Sequence, residues 1–112
     1  MSRLNVQTHP QLATVSRPRA ALTWTNHARE RVRTKGVRFD ESVLIEAGQV
    51  VEMELAFNGS LVTKLVVRQP QCSDWDRVLV LVPNGSGYTV VTCWLNHCTD
   101  THKTLNKARI SA

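Results

Sequence analysis

The first 21 residues show no period of 2 or 3.6, and with Pro10, Pro18, Arg3, Arg17 and Arg19 they read as a basic, flexible arm over 1–21. The pattern changes at Thr23. In TWTNHARERVRTKG, Thr25 or Asn26 can cap a helix and Gly36 can stop it, which predicts a helix over roughly 25–35. Trp24, Ala28 and Val32 lie on its apolar stripe, while His27 and Arg31, four residues apart, share its border. A second helix is predicted in FDESVLIEAG, with Asp40 as N-cap, Val43, Leu44 and Ala47 inward and Gly48 as the stop.

From Gln49 onward a period of two takes over. Residues 49–56 alternate, Asn58-Gly59 suits a tight hairpin, and residues 60–68 set Leu61, Leu65 and Val67 against Lys64 and Arg68. Residues 69–76, with Pro70 and Asp74-Trp75-Asp76, read as a loop. The run 78–82 is apolar on both faces and belongs in the middle of a sheet, and residues 84–87 turn the chain into a last strand from Tyr88. There Val91, Cys93 and Leu95 fit a helix-covered core. Thr92, Trp94 and Asn96 face the other way with Lys64 and Arg68. The predicted fold class is α+β: two N-terminal helices packed on one face of a four-stranded, mainly antiparallel sheet, one domain over 22–112 behind the arm.

A chain of 112 residues has room for one core and therefore one site. No apolar run approaches the roughly 18 residues that span a bilayer, so a cytoplasmic protein without a membrane partner is expected. Cys72, Cys93 and Cys98 are odd in number and irregularly spaced, which fits free thiols in a reducing compartment. The net charge of +5 favours a polyanionic partner.

Candidate chemistry concentrates in YTVVTCWLNHCTDTHKTLN, a strand that runs into a polar cluster. Cys93, His97, Cys98 and His102 have metal-ligating side chains, but they do not form two separated pairs, and no metal is expected. A cysteine nucleophile would need an elbow or oxyanion loop, and none is legible. Metal-free RNA cleavage asks for less: a base for the 2′-OH proton, an acid for the leaving oxygen, and cations for the phosphorane. His102 and His27 are the candidate acid and base, with Asp100 holding the His102 tautomer. Arg31, Lys64 or Lys103 can stabilise negative charge, and Thr92, Thr101, Thr104 or Asn96 can orient the phosphate. Arg68, Trp94, Asn96 and Lys103 are candidate nucleic-acid contacts. A capping or core histidine and a solvated sheet face remain the competing readings.

HARERVRTKGVRFDESVLIEAGQVVE, the strand ending VVTCW and the tail LNHCTDTHKTL together resemble a small domain of unknown function found in phage genomes and toxin loci. That domain is similar in plan to the barnase, EndoU, colicin and RelE group of ribonucleases. The resemblance spans about residues 22–106 and rests on an H-x-x-x-R helix, a strand-end V-T and a D-x-H-x-T-L tail. It implies a metal-independent endoribonuclease of toxin type without cofactor, with His27, Arg31, Thr92, Asp100, His102 and Thr104 in the matching positions. RNA is the implied substrate and an antitoxin the implied partner. The alternative is a catalytically inactive phage protein that binds a host protein or nucleic acid through its basic face.

Overall fold

The computed structural model describes residues 2–100 and 107–110, with side chains from Val6 to Asp100. Strand β1 (Ser2–Asn5) leads through 3₁₀ turns at Val6–Thr8 and Pro10–Thr14 into β2 (Arg17–Trp24), and helix α1 (Asn26–Lys35) follows. Next come β3 (Ser42–Ile45), a 3₁₀ turn at Ala47–Gln49, β4 (Val50–Ala56), β5 (Leu61–Pro70), β6 (Trp75–Asn84), β7 (Gly87–His97) and β8 (Lys107–Ile110). The sheet order is β1-β8-β4-β5-β6-β7-β2-β3. Strands β4 to β7 form an antiparallel meander; β2 joins β7 in parallel, and β8 joins β4 in parallel. The six strands β2–β7 make the body of a curled, mixed half-barrel, which β8 and β1 extend beyond β4.

This mostly β architecture overturns the predicted two helices on a four-stranded sheet, because α1 is the single α-helix among the described residues. The predicted second helix is instead β3 and a 3₁₀ turn. Its SVLI run is rich in β-branched side chains, and pairing Ala20 with Val43 and Arg17 with Ile45 buries Ile45 completely. Asp40, expected as a helix cap, spends its carboxylate on arginines, and Glu46 caps the short turn in a reciprocal capping box with Gln49.

Residues expected to form a basic arm pack into the body. Val6, Leu12, Val15 and Ala20 are all core residues, and from Ala20 the pattern alternates strictly, with Ala20, Leu22 and Trp24 inward. Pro18 lacks a ladder donor, and the β2–β3 register slips between Arg17 and Ala20 to absorb it. The predicted loop over 69–76 shrinks to four residues, 71–74, because β5 runs on to Pro70 and β6 begins at Trp75.

Two apolar clusters lie on the two faces of the sheet. The larger joins Met53, Leu55, Leu65, Val67, Leu79, Leu81, Val90 and Cys93 to Trp24, Ala28 and the N-terminal turns. The smaller holds Val51, Val66, Val78 and Val80, with Val91 and Trp94 against them. Burying each such side chain contributes roughly 1.5–3 kcal/mol. Val91, predicted for the helix-covered face, belongs to the smaller cluster. Val80 pairs with Thr92 but Leu81 with Val90, so Val91 is the extra residue of a bulge.

Backbone chemistry fixes two positions near the site. Gly36 ends α1 in the left-handed region at φ 73°, where side chains with a Cβ are strained. Gly87 begins β7 so close to β2 that a Cβ there would collide with the Ala21 carbonyl.

Candidate functional site

Only Leu22–Trp24 of β2 pair with β7, opposite Tyr88–Val90, so the rest of that edge needs another partner. Helix α1 supplies it. Thr25 donates its N–H to the Val90 carbonyl at 3.1 Å and its hydroxyl to the Val91 carbonyl at 3.1 Å. The same hydroxyl accepts the Ala28 N–H at 3.1 Å, so the residue that caps the helix also ties it to the strand. Further along, the Cys93 thiol lies 3.7 Å from the Ala28 carbonyl.

This seam brings two of the predicted residues together. His27 Nε2 is 3.0 Å from the Thr92 hydroxyl, and the His27 tautomer decides which group donates. Arg31, one helical turn on from His27, is half-buried and forms no ion pair among the described residues. Burial pushes the Cys93 thiol above its ordinary range, opposed by the nearby Arg31 and Arg77 cations.

Thr92, Trp94 and Asn96 alternate along β7, and cross-strand pairing aligns Arg68, Val78 and Trp94 in one row. Other predicted residues are dispersed. Lys64 lies on β5, separated from β7 by β6, and pairs with Glu54 at 3.6 Å. Arg68 is held by Asp76 at 2.8 Å and by the His97 carbonyl at 3.0 Å. Asp100 is exposed in the turn after β7, eight residues beyond Thr92, with its N–H donated to the His97 carbonyl. Thr101, His102, Lys103 and Thr104 lie outside the described residues. Cys93, one of the sulfurs weighed for zinc, is buried; Cys72 and Cys98 are exposed, and no group of three metal-ligating side chains occurs among the described residues.

A second polar centre was missed at the sequence level. Arg77 is 1% exposed at one end of the half-barrel interior, on the same face as Leu79 and Leu81. Its Nε and Nη2 donate to Gln69 Oε1 at 3.1 and 3.0 Å, while Nη1 donates to the Arg38 carbonyl at 2.8 Å and meets Asp40 Oδ2 at 2.7 Å. Gln69, also buried, passes the network on through Nε2 to the Leu44 carbonyl at 3.0 Å and to Gln49 Oε1 at 3.1 Å. Burial lowers the Arg77 pKa, and the Asp40 carboxylate opposes that shift. These side chains bridge β3 to β5 across the open side of the curl. They border a cavity of about 310 Å³. The alternation of Arg77 with Leu79 and Leu81 was the available signal, hidden by reading 69–76 as a loop.

Compared with protein-family models, curated proteins and solved structures, the chain matches none. The resemblance to the phage and toxin-locus domain therefore rests on the short motifs alone. No helix among the described residues is long and apolar enough to cross a membrane.

Proposed function

We propose that the chain binds RNA along the outward side of α1 and the adjoining Thr92, Trp94 and Asn96 of β7. The observation that carries this reading is the imbalance of charge on one short helix. Arg29, Arg31, Arg33 and Lys35 face a single acid, Glu30, and of the four only Arg33 has a carboxylate partner among the described residues. Arg29 instead lies over the Phe39 ring, 5.6 Å from its centroid. Cations without a carboxylate partner attract phosphates and release their counterions, whereas Lys64 and Arg68 are already neutralised by Glu54 and Asp76. Trp94, half-exposed on the neighbouring strand β7, adds a stacking surface.

Fluorescence anisotropy with a labelled single-stranded RNA tests the reading. Affinity falls as salt rises, and replacing Arg31 and Lys35, which share one side of α1, by Ala removes up to about 0.7 from the log–log salt slope for each phosphate that is no longer neutralised. An unchanged slope and affinity in the double variant would sink it.

Metal-independent cleavage is a second reading, favoured by the His27–Thr92 contact, which sets a proton-transfer group beside a hydroxyl able to orient a phosphate. The 2′-oxygen would attack phosphorus, the 5′-oxygen would leave, and a 2′,3′-cyclic phosphate would remain, with His102 supplying the second proton transfer. Incubation with RNA in EDTA decides this. Cyclic-phosphate products that vanish in both His27→Ala and His102→Ala, with RNA retention intact, support cleavage; retention without products leaves the binder. If the wild-type chain neither retains nor cuts RNA, the host-protein reading is what remains.

A further inference from the structure

We infer that the cavity at the polar end of the half-barrel is a phosphate subsite, with Arg38, Gln49 and Ser42 as its contacting groups and Arg77 as the buried residue that positions Arg38 and, through Gln69, Gln49. Two guanidinium groups, Arg38 and Arg77, share one carboxylate oxygen, Asp40 Oδ2, at 3.3 and 2.7 Å. The three side chains therefore carry one positive charge in excess, beside walls that include Val43, Leu44 and Pro70. Arg38, half exposed at the mouth of this open depression, is where the excess charge can meet an anion, while Arg77 is buried behind it.

The hydrogen-bonding inventory points the same way. Among the described residues Arg38 commits only its Nε, leaving both terminal nitrogens as a fork. Gln49 uses its Oε1 twice, for the Glu46 N–H and for Gln69, and its Nε2 has no partner among the described residues. The exposed Ser42 hydroxyl lines the same space. Donors thus outnumber acceptors, as an oxyanion requires. Asp40 Oδ1, the remaining acceptor, suits a P–OH or an adjoining ribose hydroxyl. Arg77 does not face the anion alone. It holds the Arg38 carbonyl and the Asp40 carboxylate, and so fixes the segment that carries the fork.

The charge and donor set call for an oxyanion. The choice of phosphate over carboxylate rests on the RNA-binding reading, since Arg38 follows the last residue of α1 by three positions. The phosphate has two sources, a free ion or the end of an RNA strand.

Calorimetric titration of the full chain with inorganic phosphate, acetate, 5′-phosphorylated RNA and the same RNA with a 5′-hydroxyl separates them. Phosphate saturates with a Kd on the order of 1 mM or tighter, and Arg38→Gln weakens it roughly tenfold, a loss of about 1.4 kcal/mol. Gln49→Ala weakens it less, and an unchanged denaturation midpoint in Arg38→Gln excludes unfolding as the cause. A preference for the 5′-phosphorylated strand that Arg38→Gln abolishes assigns the site to RNA ends; phosphate binding without that preference assigns it to the free ion. No saturable phosphate binding, equal binding in Arg38→Gln, or acetate as good as phosphate would each overturn the subsite. Should RNA fail to bind while phosphate still depends on Arg38, the RNA-binding reading falls and the subsite stands.

Discussion

Two regions of this small protein handle arginine in opposite ways. At the polar end of the half-barrel Arg77 is almost entirely out of solvent and three acceptors surround it: Gln69, the Arg38 carbonyl and Asp40. Along α1 Arg29, Arg33 and Lys35 stand at the surface and Arg31 is half-buried, and among the described residues only Arg33 has a carboxylate partner. The same side-chain chemistry therefore does two jobs. Where several buried acceptors are built in, the guanidinium stitches β3, β5 and β6 together; where no carboxylate faces it, it is left for a ligand. Net charge alone does not distinguish these, because Arg77 and Arg31 each count as one.

The sharpest way to break the comparison is to remove Arg77. Arg77→Met leaves Gln69 Oε1 and the Arg38 carbonyl without their donor and Asp40 with one cation instead of two, so stability falls by about 3 kcal/mol in chemical denaturation. A loss under about 1 kcal/mol would show that solvent or repacking replaces the network, and the contrast with α1 would disappear.

A smaller effect is expected where α1 seals Cys93. Burial raises the thiol pKa in the folded state, so the folded chain holds its proton at a pH where the unfolded chain has released it. That stabilisation is complete below the unfolded value of about 8.5 and is lost as pH climbs through the folded value, at about 1.4 kcal/mol for each tenfold difference in proton affinity between the two states. Tyr88, also raised by burial, adds to the fall at higher pH. Denaturation midpoints measured upward from pH 8 should drop, and Cys93→Ala should flatten the earlier part of the drop. An identical slope in that variant would remove Cys93 as the cause.

The smallest effect belongs to the exposed pair on α1. Arg33→Ala breaks its contact with Glu30 at a cost below about 0.5 kcal/mol, since both groups are largely in water. A loss as large as that of Arg77→Met would erase the distinction between bonded and available arginine.

Local chemistry was legible wherever a short stretch determines its own conformation. Thr25 and Gly36 bracket α1 where the capping pattern put them, and Asn58, at φ 56°, together with Gly59, turns β4 into β5. The two-faced run 78–82 is the middle of β6, between β5 and β7. Where the reading failed, a distant partner decided. Ser42–Ile45 would satisfy a helical stripe in isolation, yet its ladder to β2 makes it a strand, and the first five residues of β2, Arg17–Ala21, fall within the predicted arm. Of the candidate site, the helix and strand meet at His27 and Thr92. Lys64 and Asp100 sit apart from them, and the tail with His102 and Thr104 lies outside the described residues.

What the sequence determined by itself was the set of turns, caps and alternating runs, and the excess of positive charge, because each depends on neighbours within a few positions of the chain. Tertiary structure decided which of those charges are neutralised. Arg77 and Asp40 are 37 residues apart, Gln69 and Leu44 are 25 apart, and only the curl of the sheet closes those gaps. A guanidinium becomes structural or available according to the acceptors that folding brings to it, and no local pattern records them.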